Sequence, residues 1–337
     1  KHNLQSKEVW YEKLQRWEDA LESYNERESS GEQSLDLTLG KMRSLYALGE
    51  WPELSALTDV HWGKMNLNTK KKVAPLAATA EWMLGKWSEI GKYVGILPKD
   101  TQNYEFIKAV LNIHSNNFNC AEVHLKKTRE LIMSDISSLG NENYSRLYGL
   151  ITRAQMVTEL EEVTAYKQTP YNSTKRERIK ELWTKRLLGV QRNVDTWQNL
   201  LQVRSIVLTP KEELNISIEF ANLCRKSGRM NLSNAILNSL IDDIHTNGQS
   251  QTAQAPPSVI YAKIKYLWAA NSQQEALENL TILTSKMVSE LGLDANTIVS
   301  QSNDIKTDIP LENINDYKEL LARCFLKQGK WMISLEP

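Results

Sequence analysis

The sequence predicts an all-α protein, an α-solenoid of TPR/HEAT-like helix–turn–helix repeats. Three observations predict it. A bulky aromatic recurs after a small or polar turn residue at a spacing near 34. Apolar residues fall at helical spacing on either side of it. No segment alternates apolar and polar residues for long enough to argue a strand.

The recurring unit is visible in "LQRWEDALESY" around Trp17, "LGEWPELSAL" around Trp51 and "LGKWSEIGKYV" around Trp87, and returns in "QGKWMISLEP" at Trp331. The steps are 34 residues from Trp17 to Trp51 and 36 from Trp51 to Trp87, with Phe118 another 31 on. Three residues after the bulky one comes Ala20 or Ala121, and the same pattern is read in Leu232 with Ala235 and in Gln273 with Ala276. A small residue there lets the second helix cross close to the first, and the bulky one fills the wedge at the turn. Leu54 and Ile90 take the alanine's place in two repeats. Trp17, Trp51, Trp87 and Trp331 are therefore read as structural wedges; the competing reading is an aromatic ligand cage.

Val9, Trp10, Leu14, Trp17, Leu21 and Tyr24 lie on one helical stripe, and Leu35, Leu39, Met42, Leu45 and Tyr46 on the next, with "SSGEQSLD" between. Pro98, Pro170, Pro210 and the Pro256–Pro257 pair fall between periodic stretches, where helices end. Tyr144 to Tyr166 reads as one helix, and Ile179 to Val207 as two helices or one bent one. The expected organisation is TPR-like repeats over 1–140, long helices continuing the solenoid over 141–210, and further repeats over 211–337. Polar loops are expected near 246–258 and 291–315, the second stretching the last repeat.

The 337 residues hold 41 basic and 41 acidic side chains, so no global field draws the chain to nucleic acid or membrane. No apolar run approaches the roughly 18 residues of a membrane span. Three scattered cysteines, Cys120, Cys224 and Cys324, form neither a disulfide framework nor a zinc pair, and read as small core residues. A phosphate-binding Gly-x-x-x-x-Gly-Lys-Ser/Thr loop and the kinase motifs are absent. The five histidines form no His-x-x-x-His pair; His114 and His124, ten apart, read either as rings facing one another across a repeat turn or as ordinary partly buried imidazoles, and no metal or catalytic residue is assigned. Basic residues cluster at Lys175, Arg176, Arg178 and Lys180, at Lys70–Lys72, and at Lys41 with Arg43. They read either as solvated helix ends or as a polyanion pocket assembled across the repeats.

Long strings carry a resemblance: "YSRLYGLITRAQMVTELEEVTAYK", "KRLLGVQRNVDTWQNLLQVRSIVLTPKEE", "FANLCRKSGRMNLSNAILNSL", "LLARCFLKQGKW" and "MLGKWSEIGKYVGILPKDTQNYEFIKAVLNIH". They resemble the FAT region of the TOR (target of rapamycin) kinases, in the phosphatidylinositol-kinase-related protein kinase family. The Asn/Ser-rich loops resemble those of fungal members. The resemblance implies a non-catalytic helical scaffold that braces the kinase domain of the same polypeptide and supports complex assembly in nutrient signalling. It implies raptor-like or rictor-like and WD40 subunits as partners, a dimeric full complex, and a cytoplasmic place, peripheral at vacuolar or other endomembranes. Some relatives hold inositol hexakisphosphate, which implies a site at Arg43, Lys72 and Lys167 with Lys175, Arg176 and Arg178. Pro75 departs from the pattern, since relatives carry a basic residue there. The alternative is a stand-alone TPR adaptor gripping peptide tails in its concave groove.

Overall fold

A computed structural model describes residues 7–32, 34–139, 144–246, 255–292 and 314–335. Those residues form sixteen α-helices and no strand. The chain divides into two compact units, Lys1–Thr209 and Pro210–Pro337.

In the first unit consecutive helices pair as α1 (Lys7–Lys13) with α2 (Trp17–Ser29), α3 (Leu35–Leu48) with α4 (Trp51–Trp62), and α5 (Leu67–Met83) with α6 (Trp87–Val94). Then come α7 (Gln102–His114) with α8 (Phe118–Leu139), α9 (Tyr144–Gln168) with α10 (Thr174–Gly189), and a single α11 (Val194–Arg204) packed on α9. The second unit pairs α12 (Leu214–Lys226) with α13 (Met230–Thr246) and α14 (Pro257–Ala269) with α15 (Gln273–Glu290), and adds α16 (Ile314–Leu335) against α15.

One turn is used over and over. Gln15, Gly49, Gly85, Asn116, Gly228 and Asn271 each adopt the left-handed conformation two residues before the second helix of a pair. The next N–H reaches back five residues, as in Arg16 to Tyr11, Glu50 to Leu45 and Arg229 to Cys224, at 2.9–3.0 Å. This is the Schellman closure, which satisfies orphan carbonyls and reverses the chain in a fixed direction. The residue three places into the second helix is then driven into the core: Ala20, Leu54, Ala121 and Ala276 are 0% exposed and Ile90 1%.

That register corrects one expectation. In the α12–α13 pair the turn at Gly228 makes Met230 the first helical residue and Ser233 the buried one, its hydroxyl donating to the Ala221 carbonyl at 2.9 Å. Leu232 and Ala235 are two residues out of phase, and Ala235 is exposed. The first stripe is also interrupted: Gln15 ends α1, and Trp10 and Leu14 face solvent. The stretch from Ile179 to Val207 is two helices, because Val190 leaves α10 in an extended conformation and Asn193 caps α11. Cys120 is exposed, on the outer side of α8, whereas Cys224 and Cys324 are core residues. Residues 247–254 and 293–313, where the polar loops are expected, lie outside the described residues.

Trp17, Trp51 and Trp87 each open a helix and are half-buried. Trp51 meets Tyr46 of its paired helix edge-on, at 5.6 Å between ring centroids. Trp87 lies flat on His114 at 3.8 Å, at the end of the next pair's first helix. Trp331 differs from the other three. Gln328, Gly329 and Lys330 continue α16 without a turn, so Trp331 sits inside a helix, 3% exposed and stacked on Trp268 at 4.1 Å. His114 and His124 do not face one another: His124 Nδ1 lies 2.6 Å from Glu105 Oε2.

Candidate polyanion site

The six cations singled out in the sequence have separate surroundings. Arg43 is held by both oxygens of Glu12, at 2.9 and 3.0 Å. Lys72 is exposed on α5, one turn before Pro75. Lys167 donates to the carbonyls of Ile113 and His114 and to Asn116 Oδ1, closing the C-terminus of α7, and desolvation lowers its pKa. Arg176 donates to the Thr169 carbonyl at 3.0 Å, and its guanidinium lies 4.5 Å from the Tyr166 ring centroid and 5.2 Å from that of Tyr171. Lys175 and Arg178 are exposed on the first turns of α10. Arg43, Lys167 and Arg176 thus already have acceptors in the fold.

A different set of cations converges in the second unit. Arg225 and Lys226 end α12, where positive charge meets the negative pole of the helix. Lys265 projects from α14, its ammonium 4.6 Å from the Tyr261 ring one turn back. From α16 come Arg323 and Lys327, the latter 5.4 Å from the Trp331 ring one turn on. Tyr261, Trp268 and Trp331 place aromatic rings beside these cations, and Cys324 lies fully buried among them.

Electrostatics mark this cluster as uncompensated. Burial, then the charges of Arg225, Lys226, Lys327 and Arg323, push the Lys265 ammonium from 10.5 down to about 8. Burial likewise lowers Lys327 and Arg225, and lifts the Cys324 thiol to about 11. Arg225 Nε is buried without a hydrogen-bond partner. Arg323 is itself bound to Glu319, at 2.5 Å. Among the described residues, none of Arg225, Lys226, Lys265 and Lys327 is ion-paired. Holding four such charges together costs stability.

These residues are missed in the sequence because they are dilute there. Arg225–Lys226, Lys265 and Arg323–Lys327 are separated by tens of residues, and only the stacking of α12, α14 and α16 gathers them. The available signal was positional: each lies on the first helix of its repeat or on α16, whereas "KRERIK" opens a second helix.

The sequence profile of the FAT domain matches residues 74–337. The chain belongs to the FAT domain family. It is similar along its whole length to the serine/threonine-protein kinase TOR2 of Saccharomyces cerevisiae, 50% identical over 337 residues that make up 14% of that protein. The tor1 kinase of Schizosaccharomyces pombe is 38% identical over 98% of this chain and 14% of its own length, and the mTor kinase of Drosophila melanogaster 37% over 97% and 13%. The chain therefore spans about one seventh of these relatives. The FAT match extends over most of it, and no catalytic kinase domain lies within it. No described helix is long and apolar enough to cross a membrane.

Proposed function

We infer that this FAT chain is a non-catalytic scaffold of a TOR-type serine/threonine kinase, bracing the kinase domain of the same polypeptide and supporting complex assembly. The observation that carries this is the sixfold reuse of one left-handed turn with one buried contact five residues beyond it. Such a frame transmits displacement from pair to pair, since each pair rests on its neighbours. Raptor-like or rictor-like and WD40 subunits, a dimeric complex and a cytoplasmic location, peripheral at vacuolar membranes, belong to the same reading.

The adaptor reading is weaker. The faces of α3 and α5, where an adaptor grips a peptide, share a cavity with the chain's own α11. Leu54→Ala in the full-length kinase is the test of the scaffold. A loosened pair should change kinase activity with the catalytic domain untouched, and unchanged activity despite a lower melting temperature refutes the brace.

The basic cluster of α12, α14 and α16 supports a second element of this reading, a structural polyphosphate of the inositol hexakisphosphate kind held at Arg225, Lys226, Lys265, Arg323 and Lys327. Thermal unfolding of the 337-residue chain with inositol hexakisphosphate decides between this cluster and the Arg43, Lys72, Lys167 set. Lys265→Met should abolish the upward shift in melting temperature, while Lys72→Met leaves it intact. The opposite pattern moves the ligand to the first unit, and no shift with wild type removes the polyphosphate altogether.

A further inference from the structure

Gly149 lies within α9, where glycine costs stability relative to alanine. Packing does not require it, since a Cβ built there meets nothing within 4 Å. The space beside it is a cavity of about 400 Å³, in the range of small-molecule sites, bounded by α9, by the turn from α10 to α11, and by α11. Gln191 of that turn donates its backbone N–H to Tyr148 Oη at 2.9 Å, which fixes the rim. Gly149, Arg153 and Met156 line the cavity from one face of α9, and Asn193, Thr196 and Asn199 follow every three residues from the cap of α11.

This lining still has hydrogen bonds to make. Arg153 carries five N–H donors. One, on Nη2, meets Asn103 Oδ1 at 3.2 Å, and the guanidinium lies 3.9 Å from the Phe106 ring centroid. No carboxylate is paired with it among the described residues, and burial pushes its pKa down to about 10. Arg153 is nonetheless partly exposed, and its Nε and Nη1 keep accessible surface without a partner. The Asn193 Nδ2, the Thr196 hydroxyl and the Asn199 amide are open in the same way. Asp195 is the acid of the lining. One cation beside one acid favours a singly charged anion, because a polyphosphate would be repelled by the carboxylate.

We propose that this cavity binds a monocarboxylate with an amide-bearing body, the chemistry shared by an N-acyl amino acid and by the free C-terminus of a peptide. The carboxylate takes the open donors of the Arg153 fork. The ligand's amides meet Asn193, Thr196 and Asn199, and its chain passes over Gly149, where a side chain would stand in the way. Bound there, it ties α9 to α11 inside the first unit.

The test compares N-acetylglycylglycine with N-acetylglycylglycinamide, which has the same shape and no charge, by saturation-transfer NMR and calorimetric titration on the 337-residue chain. The acid should bind at least about tenfold more tightly, the worth of one charge-assisted hydrogen bond. Arg153→Met, which keeps an alkyl chain against Phe106, should bring the two compounds to the same weak affinity. Gly149→Leu should exclude both while leaving the melting temperature no lower, because it fills open space and favours the helix. No binding of the acid at millimolar concentration, or binding retained in Gly149→Leu, overturns the site. Equal affinity for acid and amide in wild type, or a preference that survives Arg153→Met, overturns the role of the arginine. Should Arg153→Met fail to fold, Gly149→Leu still decides the location and the wild-type comparison decides the charge. N-acetylhexaglycine separates the two sources: affinity matching the shorter acid assigns the site to a chain terminus, and lost affinity assigns it to a small molecule.

Discussion

The Tyr24 ring of α2 fills the space that a side chain at Gly40 of α3 would need: a Cβ built on Gly40 falls 2.2 Å from Tyr24 Cζ. Glycine inside a helix costs up to about 1 kcal/mol relative to alanine, so its place here rests on packing. The tyrosine hydroxyl passes over Gly40 to donate to Glu12 Oε1 at 2.7 Å, and Glu12 in turn holds Arg43. Three helices meet at that point. Gly40→Ala should therefore destabilise the first unit by about 1–3 kcal/mol despite the better helix former. In a Tyr24→Leu background the same substitution should cost less. Urea midpoints of the two single variants and the double variant check it, and simple additivity contradicts the contact.

Arg204 and Glu159 form an ion pair with both side chains fully buried, at 2.9 and 3.0 Å, and Arg204 donates as well to the Trp183 carbonyl. One guanidinium nitrogen, Nη1, has no partner. Desolvating two charges offsets most of their attraction, so the pair's net worth is small while the cost of breaking it is large. Glu159→Gln should cost about 3–5 kcal/mol, by leaving a buried cation without its countercharge. Glu159→Leu with Arg204→Met should cost far less. Equilibrium unfolding separates the two outcomes: a double variant as damaged as the single one sinks the claim.

The repeat was legible in the sequence because its turn is chemically narrow. Left-handed backbone selects Gly or Asn, and Gly49, Gly85, Gly228, Asn116 and Asn271 stand where it is needed. Where the residue is instead Gln15, a continuous apolar stripe hid the break between α1 and α2. Where Gly329 precedes Trp331, the same letters continue a helix, because stacking on Trp268 rather than a turn fixes that indole. The basic site was illegible for another reason: charge density along the chain is not charge density in space. "KRERIK" concentrates cations on solvated turns, whereas Lys265 shares an apolar helix with Lys263 alone and meets the rest of its cluster only across α12 and α16.

Gln15 and Gly85 test the turn directly. Gln15 holds φ at 59°, where a side chain carries a penalty of roughly 1–2 kcal/mol, partly offset by the lower entropy of the unfolded chain. Gln15→Gly should raise stability by up to about 1 kcal/mol. Gly85 has φ of 70° and open space around its Cα, so Gly85→Ala meets no clash and should lose about 1 kcal/mol through backbone strain alone. Melting temperatures that move in opposite directions support the shared turn, and a stabilised Gly85→Ala contradicts it.

Lys265 gives the second unit a pH dependence whose sign follows from its depressed pKa. Below about 8 the ammonium is charged in both folded and unfolded chains, and the folded state bears the full repulsion from Arg225, Lys226, Lys327 and Arg323. Between about 8 and 10.5 the unfolded chain binds more protons, so stability rises with pH. Cys324 acts oppositely: its thiol stays protonated in the fold to about 11, and stability falls once the unfolded thiol ionises above 9.0. Tyr261, also raised by burial, pulls the same way at higher pH. Between pH 8 and 9 the lysine outweighs the thiol, whose unfolded form is only half ionised at 9.0, and chemical denaturation there should show stability increasing, a slope that Lys265→Met lowers. Anion binding should run the other way. Inositol hexakissulfate keeps its charge across this range, so its affinity should fall from pH 7 to 9 as Lys265 gives up its proton, and the fall should vanish in Lys265→Met. An affinity independent of pH in wild type would place the anion elsewhere, and a wild-type stability that drops between pH 8 and 9 would mean that Lys265 is neutralised by an acid outside the described residues.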